Sequence, residues 1–171
     1  MSDVVDMCRA IKDNSLHFTL NPQNCWQSFN TDFCDIVNSD EWKEIKFMND
    51  SATEINESID TVPNDKGGIY LFILKPDIVP CVHKYILYIG RVQSTNSQNL
   101  RKRFREYIHD QRSDILLMRE TWGKDLFIRY LPLTDNEVIK ALEKELIRTI
   151  IPPCNSDYPG VLNKAMKAAF A

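Results

Sequence analysis

Glu143 is the residue whose position in the sequence most directly indicates chemistry. It lies in a segment with helical periodicity, and on a helical wheel it falls in the apolar sector beside Ile139 and Ile147. A carboxylate turned toward an apolar interface is unfavourable unless a cation, a hydrogen-bond donor or a metal ion meets it. A structural salt bridge with Arg103 or another arginine and a functional site are both consistent with this pattern.

Two tyrosines accompany this carboxylate, at Tyr70 and Tyr88. They belong to the tripeptides Gly-Ile-Tyr at 68–70 and Tyr-Ile-Gly at 88–90, inside two apolar runs rich in β-branched and aromatic residues. Such runs, with prolines confined to the connection between them, predict a β-hairpin over residues 67–91. The hairpin places the two tyrosines on neighbouring strands. On this evidence alone they could equally be core residues.

A dense positive cluster follows the hairpin. The periodicity predicts a helix from Leu100 to about residue 111, capped by Asn99 or Ser97, and four cations lie in it: Arg101, Lys102, Arg103 and Arg105. At about 100 degrees per residue, Arg103 lies roughly 40 degrees from Tyr107, at the margin of the apolar face. For Lys102 and Arg105 a solvated face or a plain phosphate contact is the preferred interpretation.

The remaining elements position these groups. A third strand is expected from Leu126 to Leu131, ended by Pro132, and the helix carrying Glu143 is expected from a Thr134 cap to about residue 151. The first 66 residues show short, broken helical patterns, including one over residues 51–59. We therefore expect three segments: an acidic, mostly helical region (1–66), a central domain (67–156) and a C-terminal helical tail (157–171).

Composition limits the functional classes. A chain of 171 residues with 43% hydrophobic content suits one compact domain with a small appendage. The apolar runs are too short to cross a membrane and the N-terminus is acidic, so we expect a cytoplasmic protein without membrane contact. Five cysteines without CxxC spacing and three scattered histidines indicate neither a disulfide framework nor a zinc site.

The net charge of −3 is unevenly distributed. Residues 1–66 carry 5 Lys and Arg against 13 Asp and Glu, a net charge of −8, whereas residues 67–171 carry 16 against 11, a net charge of +5. The second part is the one whose field could attract a polyanion. Solvated helix faces often show such excesses, so the asymmetry is supporting evidence only.

Taken in order, these motifs resemble those of the GIY-YIG nuclease family over residues 67–156. The matching elements are Gly68-Ile69-Tyr70, Tyr88-Ile89-Gly90, Arg103 in LRKRFREY, Glu143 in ALEKELI and Asn155 after Pro152-Pro153. The resemblance implies an α/β domain of the α+β type, with a small three-stranded antiparallel sheet flanked by helices and the YIG strand in its centre.

The resemblance also implies roles for individual residues. Glu143 would bind one Mg²⁺, for which Mn²⁺ could substitute, with water and phosphate as the other ligands. Tyr70 would be the general base for the attacking water or would hold that water, and Tyr88 would belong to the same network. The metal and Arg103 would lower the pKa of Tyr70. Arg103 would neutralise the scissile phosphate, and Asn155 would contribute a hydrogen bond. Arg91, Arg101, Lys102 and Arg105 would contact DNA phosphates.

Two positions depart from the family pattern. Many members have histidine where this chain has Tyr107, whose hydroxyl could serve the same relay. Repair nucleases of the family tend to have lysine after YIG, where this chain has Arg91, and they have a further catalytic domain. The repair subfamily is therefore disfavoured.

We therefore expect a metal-dependent endodeoxyribonuclease, and within that class a Type II restriction endonuclease acting on a short duplex site. Cutting both strands of a symmetric site would favour a homodimer. A structure-specific nuclease of repair or recombination is the alternative enzyme. A catalytically idle nucleic-acid-binding or scaffold protein that keeps the fold is the alternative of another class.

Overall fold

A four-stranded antiparallel sheet organises the computed structural model, which describes residues 4–18 and 27–160. The strands are β1 (Lys43–Lys46), β2 (Gly67–Leu74), β3 (Tyr85–Val92) and β4 (Leu126–Leu133), in the spatial order β1-β4-β2-β3. The α+β class is confirmed, but the expected number of three strands is wrong. The additional strand β1 lies in the region expected to be mostly helical and pairs with the first half of β4. Its four residues, with a single apolar side chain, are too short to show a period of two.

The helices cover both faces of this sheet. They are α1 (Val4–Asp13), α2 (Cys34–Val37), α3 (Leu100–Glu106), α4 (Ser113–Trp122) and α5 (Asn136–Ile150). Short 3-10 helices occur at Thr31–Phe33, Glu57–Thr61, Tyr107–His109 and Gly123–Asp125. Within the described residues, no helix has the length and apolar character needed to cross a membrane.

The predicted hairpin is confirmed, and its register brings the two tripeptides together. Tyr70 lies opposite Gly90, and β2 pairs with β3 on one side and β4 on the other. The strand of the Gly-Ile-Tyr tripeptide is therefore central, and the expectation that the Tyr-Ile-Gly strand is central is wrong. Strand β3 lies at the edge of the sheet.

The glycine of the second tripeptide makes room for the tyrosine of the first. A Cβ atom added at Gly90 would lie 2.4 Å from the Tyr70 hydroxyl oxygen, well inside van der Waals contact. The space beside this glycine is thus occupied by a side chain and not by another backbone. Gly68 has a different reason, because its φ is +148° and a Cβ there would meet the Leu131 carbonyl.

Alternation along β2 divides the core into two layers. Ile69, Leu71 and Ile73 face one side, where they pack with residues of α5 such as Leu142. Tyr70 and Phe72 face the other side, which α3 and α4 cover, and the side chains there include Phe104, Tyr107 and Met118. Because both faces are covered, β2 is buried along almost its whole length.

The region before β2 contributes to this core. Ile45, Phe47, Met48, Ile59 and Val62 are buried in the same layer as Tyr70. The helix expected over residues 51–59 is wrong: this segment makes a turn with an isolated bridge between Met48 and Ile55, and only the 3-10 helix Glu57–Thr61 follows. Asn56 caps this 3-10 helix by accepting a hydrogen bond from the Ser58 amide.

Other element ends differ in detail. The Asn99 cap of α3 is confirmed, but α3 ends at Glu106 and only one 3-10 turn follows. Helix α5 is capped by Asp135 rather than Thr134. Strand β4 continues through Pro132. Its pairing with β1 stops at Tyr130, which lies opposite Lys43, so the missing N–H of Pro132 removes no hydrogen bond to β1. The expected tail helix falls largely on residues 161–171, outside the described part of the chain.

Candidate active site

A cleft of about 340 Å³ runs along the outer edge of β3. Side chains from both faces of the sheet meet there, because an edge strand has no neighbour to separate them. Four of its residues were predicted from the sequence: Tyr88, Arg91, Glu143 and Asn155. The other lining residues are Arg112, Lys144, Ile147, Ser156, Asp157 and Pro159.

Glu143 lies in this cleft and pairs with Arg91. The Nε of Arg91 lies 2.9 Å from the Glu143 Oε2 in an ion pair, and the Glu143 side chain is 18% exposed. Burial raises the pKa of Glu143, while the charges of Arg91 and Lys144 lower it and that of Asp157 raises it further. The carboxylate thus has the arginine partner that one interpretation of the sequence required, although the partner is Arg91 and not Arg103.

The Arg91 pair still leaves ligand capacity in the cleft. It engages one carboxylate oxygen of Glu143, and the buried Nη1 of Arg91 has no hydrogen-bond partner. Among residues 4–18 and 27–160, no three His, Cys, Asp or Glu side chains form a group that could hold a metal ion. A single carboxylate suits Mg²⁺ when water and substrate phosphate complete its shell, so the residues present fit Mg²⁺ in that mode.

Tyr88 is the tyrosine that reaches the cleft. The register of the hairpin shifts between Phe72 and Ile73, so that Leu87 has no partner on β2 and β3 bulges just before Tyr88. A bulge bends the strand and changes the direction of the neighbouring side chain. The half-buried Tyr88 ring consequently packs against the Tyr70 layer while it also lines the cleft.

Tyr70 is buried, with 1% of its surface exposed, and does not line the cleft. Its hydroxyl forms a 2.6 Å hydrogen bond with the hydroxyl of Tyr107. Burial raises the pKa of Tyr70 well above its ordinary value, the Tyr107 and Tyr88 charges raise it further, and Arg103 lowers it by less. The direction is opposite to the lowering expected for a catalytic base, because desolvation outweighs the nearby guanidinium.

Arg103 occupies the margin of the apolar face, as the helical wheel predicted. Its guanidinium lies 4.6 Å from the centre of the Tyr107 ring and donates to Glu106 at 3.1 Å. It lines a neighbouring cleft of about 320 Å³, which Arg91 also lines, rather than the one that holds Glu143. Tyr107 lies between this arginine and Tyr70, since its hydroxyl is also 3.4 Å from an Arg103 nitrogen.

Asn155 fastens the edge of the sheet. Its side chain accepts from the Ile89 amide at 2.9 Å and donates to the Ile89 carbonyl at 2.8 Å, while the Cys154 amide donates to the Leu87 carbonyl. Asn155 is 8% exposed. Its amide group therefore imitates a neighbouring strand and holds β3, and the residues on it, in place.

The remaining predicted phosphate contacts lie elsewhere. Arg101, Lys102 and Arg105 line a third cleft of about 420 Å³ beside α3. Each already has a partner in the protein: Arg101 donates to the Val62 carbonyl, Lys102 to the Ser97 carbonyl, and Arg105 pairs with Asp60. Their contacts with DNA remain a prediction, at a site separate from Glu143.

Arg112 is a cleft residue that the sequence did not reveal. It directly precedes α4, and its side chain pairs with Asp110. The short turn that holds both residues shows no periodic pattern in the sequence. Only the packing of this turn against β3 brings it beside Tyr88. No signal in the sequence separates it from the other arginines.

A scan of family models finds no match to this chain, and no solved structure matches it. The resemblance to GIY-YIG nucleases therefore rests on the motif residues of the sequence alone.

Proposed function

We propose that this protein is a metal-dependent DNA endonuclease. The observation that supports the proposal is the cleft at the β3 edge, where Tyr88, Arg91, Glu143 and Asn155 come together from β3, α5 and the segment after α5. Each of the four was a candidate from the sequence, and they come from three segments that are distant in the chain. A half-buried carboxylate with a raised pKa, in a cleft lined by several cations, is a common arrangement in active sites.

The roles follow from where the groups lie. Tyr88 would orient the attacking water through its hydroxyl, since it is the tyrosine that lines the cleft. Arg91 would bind a phosphate oxygen, which would also satisfy its unpartnered buried Nη1. Mg²⁺, when bound at Glu143, would supply positive charge against the charge that develops on the phosphate. Asn155 would keep the strand that carries Tyr88 and Arg91 in register.

Within this proposal, the Type II restriction enzyme remains the preferred class, and a homodimer is the expected form on a symmetric site. The test is digestion of supercoiled plasmid in Mg²⁺ and in Mn²⁺, with Glu143→Gln as control. Discrete fragments absent from the control support a restriction enzyme. Cuts limited to branched duplexes support the structure-specific alternative.

A second candidate is nucleic-acid binding without cleavage. The observation that favours it is the direct Arg91–Glu143 ion pair, which places an arginine where the metal is expected. A chain of this kind would retain plasmid in a gel-shift assay and leave it supercoiled in both metals. Absence of both binding and cleavage would overturn both candidates.

A further inference from the structure

We propose that Arg112 is a phosphate-binding residue of the Glu143 cleft. It would supply there the guanidinium that the motif resemblance assigns to Arg103. The inference rests on the proposed function, since the ligand is a nucleic-acid phosphate. Arg112 and Glu143 line the same cleft, whereas Arg103 lines the neighbouring one. Arg112 has no counterpart among the motif residues.

The guanidinium is held ready for a ligand. Asp110, whose side chain is 16% exposed, accepts from three donors of Arg112: the backbone amide at 3.0 Å, the Nε at 3.0 Å and the Nη2 at 2.7 Å. The ring centres of Tyr88 and Tyr107 each lie 5.8 Å from the guanidinium carbon. An arginine fixed on two sides loses little further side-chain entropy when it binds.

Asp110 does not use the whole guanidinium, whose other polar neighbours are the hydroxyls of Tyr88 and Tyr107. Of its five N–H groups, Asp110 uses the Nε–H and one on Nη2, so that both N–H groups of Nη1 and the second of Nη2 lie outside this pair. The Arg112 side chain is 46% exposed. A guanidinium of this kind can give end-on hydrogen bonds to phosphate oxygens while its inner edge stays fixed.

The alternative is a salt bridge that only closes the turn before α4. That explanation accounts for Asp110 but not for the position of the arginine against Tyr88 in a cleft with Arg91 and Lys144. A turn-closing arginine would be indifferent to DNA. The two explanations therefore differ in a measurable property.

The probe is a short fluorescein-labelled duplex, with affinity measured by anisotropy over a series of salt concentrations. It is applied to chains that all carry Glu143→Gln, so that no cleavage occurs. Arg112→Ala should weaken binding about tenfold and reduce the salt slope by about one phosphate contact. Arg112→Lys should restore the slope and only part of the affinity, because an ammonium cannot reproduce the guanidinium geometry.

The matched control is Arg129→Ala. Arg129 is exposed on β4, lies over the Trp42 ring at 5.7 Å and lines none of the three clefts. The double variant Asp110→Asn with Arg112→Ala removes the carboxylate that the single variant leaves unpaired. It should bind DNA as weakly as Arg112→Ala while its Tm returns toward the parent value.

The outcomes are distinct. If the parent binds the duplex and wild-type protein cuts plasmid, but Arg112→Ala binds as Arg129→Ala does, Arg112 only closes a turn and the proposed function stands. Loss of affinity in Arg112→Ala that the double variant recovers would also overturn the proposal, because the unpaired Asp110 would be the cause. Absence of duplex binding by the parent would overturn this proposal, and absence of plasmid cleavage by the wild type as well would overturn the proposed function with it.

Discussion

Glu143, beside the β3 edge, combines the burial of its carboxylate with an ion pair to Arg91. Glu143 loses hydration, keeps one arginine partner and has a raised pKa, so its charged form is less favourable in the folded chain than in the unfolded one. Desolvation therefore outweighs the charge of Arg91, and a cation bound at this carboxylate would lower the pKa of Glu143 again.

The first prediction concerns the carboxylate itself. Glu143→Gln should abolish cleavage and keep the fold, because it removes the negative charge but little volume. A raised folded-state pKa means that Glu143 contributes stability at low pH that is lost as pH rises through that pKa. The Gln variant should lack this loss, and its Tm at neutral pH should equal or exceed that of wild type. Thermal unfolding across pH, beside plasmid digestion, measures both effects.

The result that contradicts the assignment is normal cleavage by Glu143→Gln in Mg²⁺. A fall in Tm at neutral pH without any change in cleavage would identify the Arg91 pair as purely structural. Lys140→Gln is a useful control, since it removes a charge from the exposed side of the same helix and Lys140 lines none of the three clefts.

The second prediction separates the two motif tyrosines. Tyr88→Phe should reduce the single-turnover rate by about 10² to 10⁴, the usual contribution of a group that handles the proton of a reacting water. Tyr70→Phe should change the rate much less, but it should destabilise the chain by about 1–3 kcal/mol, since it leaves the buried hydroxyl of Tyr107 with only its longer contact to Arg103.

The measurements are the cleavage rate with enzyme in excess and the free energy of unfolding for each variant. A large rate loss in Tyr70→Phe with stability retained would restore the role that the motif implied for Tyr70. Equally small rate losses in the two variants would show that neither hydroxyl takes part in the chemistry.

At the scale of elements, the hairpin and both flanking helices were predictable because each has a strong local signal. Strand β2 is an unbroken apolar run, and α5 has a helical period over fifteen residues. Strand β1 was not predictable, because the pairing of Lys43–Lys46 with β4 is set by contacts distant in sequence. Likewise, the predicted helix over residues 51–59 is replaced by the 3-10 helix Glu57–Thr61. Its cap, Asn56, lies inside the predicted helix.

The residues of the candidate site were likewise predictable only where the local sequence carries a signal. Glu143 was found because a charge in an apolar sector is visible on a helical wheel, and Asn155 was found by motif alone. The roles of Tyr70 and Arg103 were not predictable, since burial and the choice of cleft depend on which side of the sheet a residue faces. Arg112 was missed because tertiary packing alone brings its turn to β3.

The third prediction concerns the attachment of the edge strand. Asn155→Ala removes both side-chain bonds to Ile89 and should destabilise the chain by about 1–3 kcal/mol. Exchange of the Ile89 amide hydrogen should accelerate strongly, while the amide of Leu71 on central β2 should change only with global stability. Hydrogen exchange by NMR tests this, and unchanged protection of Ile89 would show that the edge holds without Asn155.

At the scale of the whole molecule, the acidic first part and the basic second part are joined through one core. Ile45, Phe47, Met48, Ile59 and Val62 come from residues before 67 and pack against side chains of β2 and α3. By contrast, α1 has no buried residue. Helix α1 therefore adds no buried side chain to the core, whereas residues that follow it do.

The fourth prediction follows from this difference. Deletion of residues 1–66 should prevent cooperative folding, because it removes five buried apolar side chains from one layer of the core. Deletion of residues 1–13 is the control and should leave Tm within a few degrees of wild type. Circular dichroism during heating distinguishes the two. Cooperative unfolding of the chain that begins at residue 67 would show an autonomous central domain.

The contact between Tyr70 and Gly90 has a consequence for how this chain can change. The tripeptides 68–70 and 88–90 look like two separate motifs, yet the tyrosine ring fills the space that any side chain at position 90 would need. A library randomised at position 90 alone should retain only glycine among stably folded members, whereas joint randomisation should recover larger residues at 90 paired with smaller ones at 70. We therefore expect positions 70 and 90 to vary together, with a substitution at one tolerated only when the other compensates for its volume.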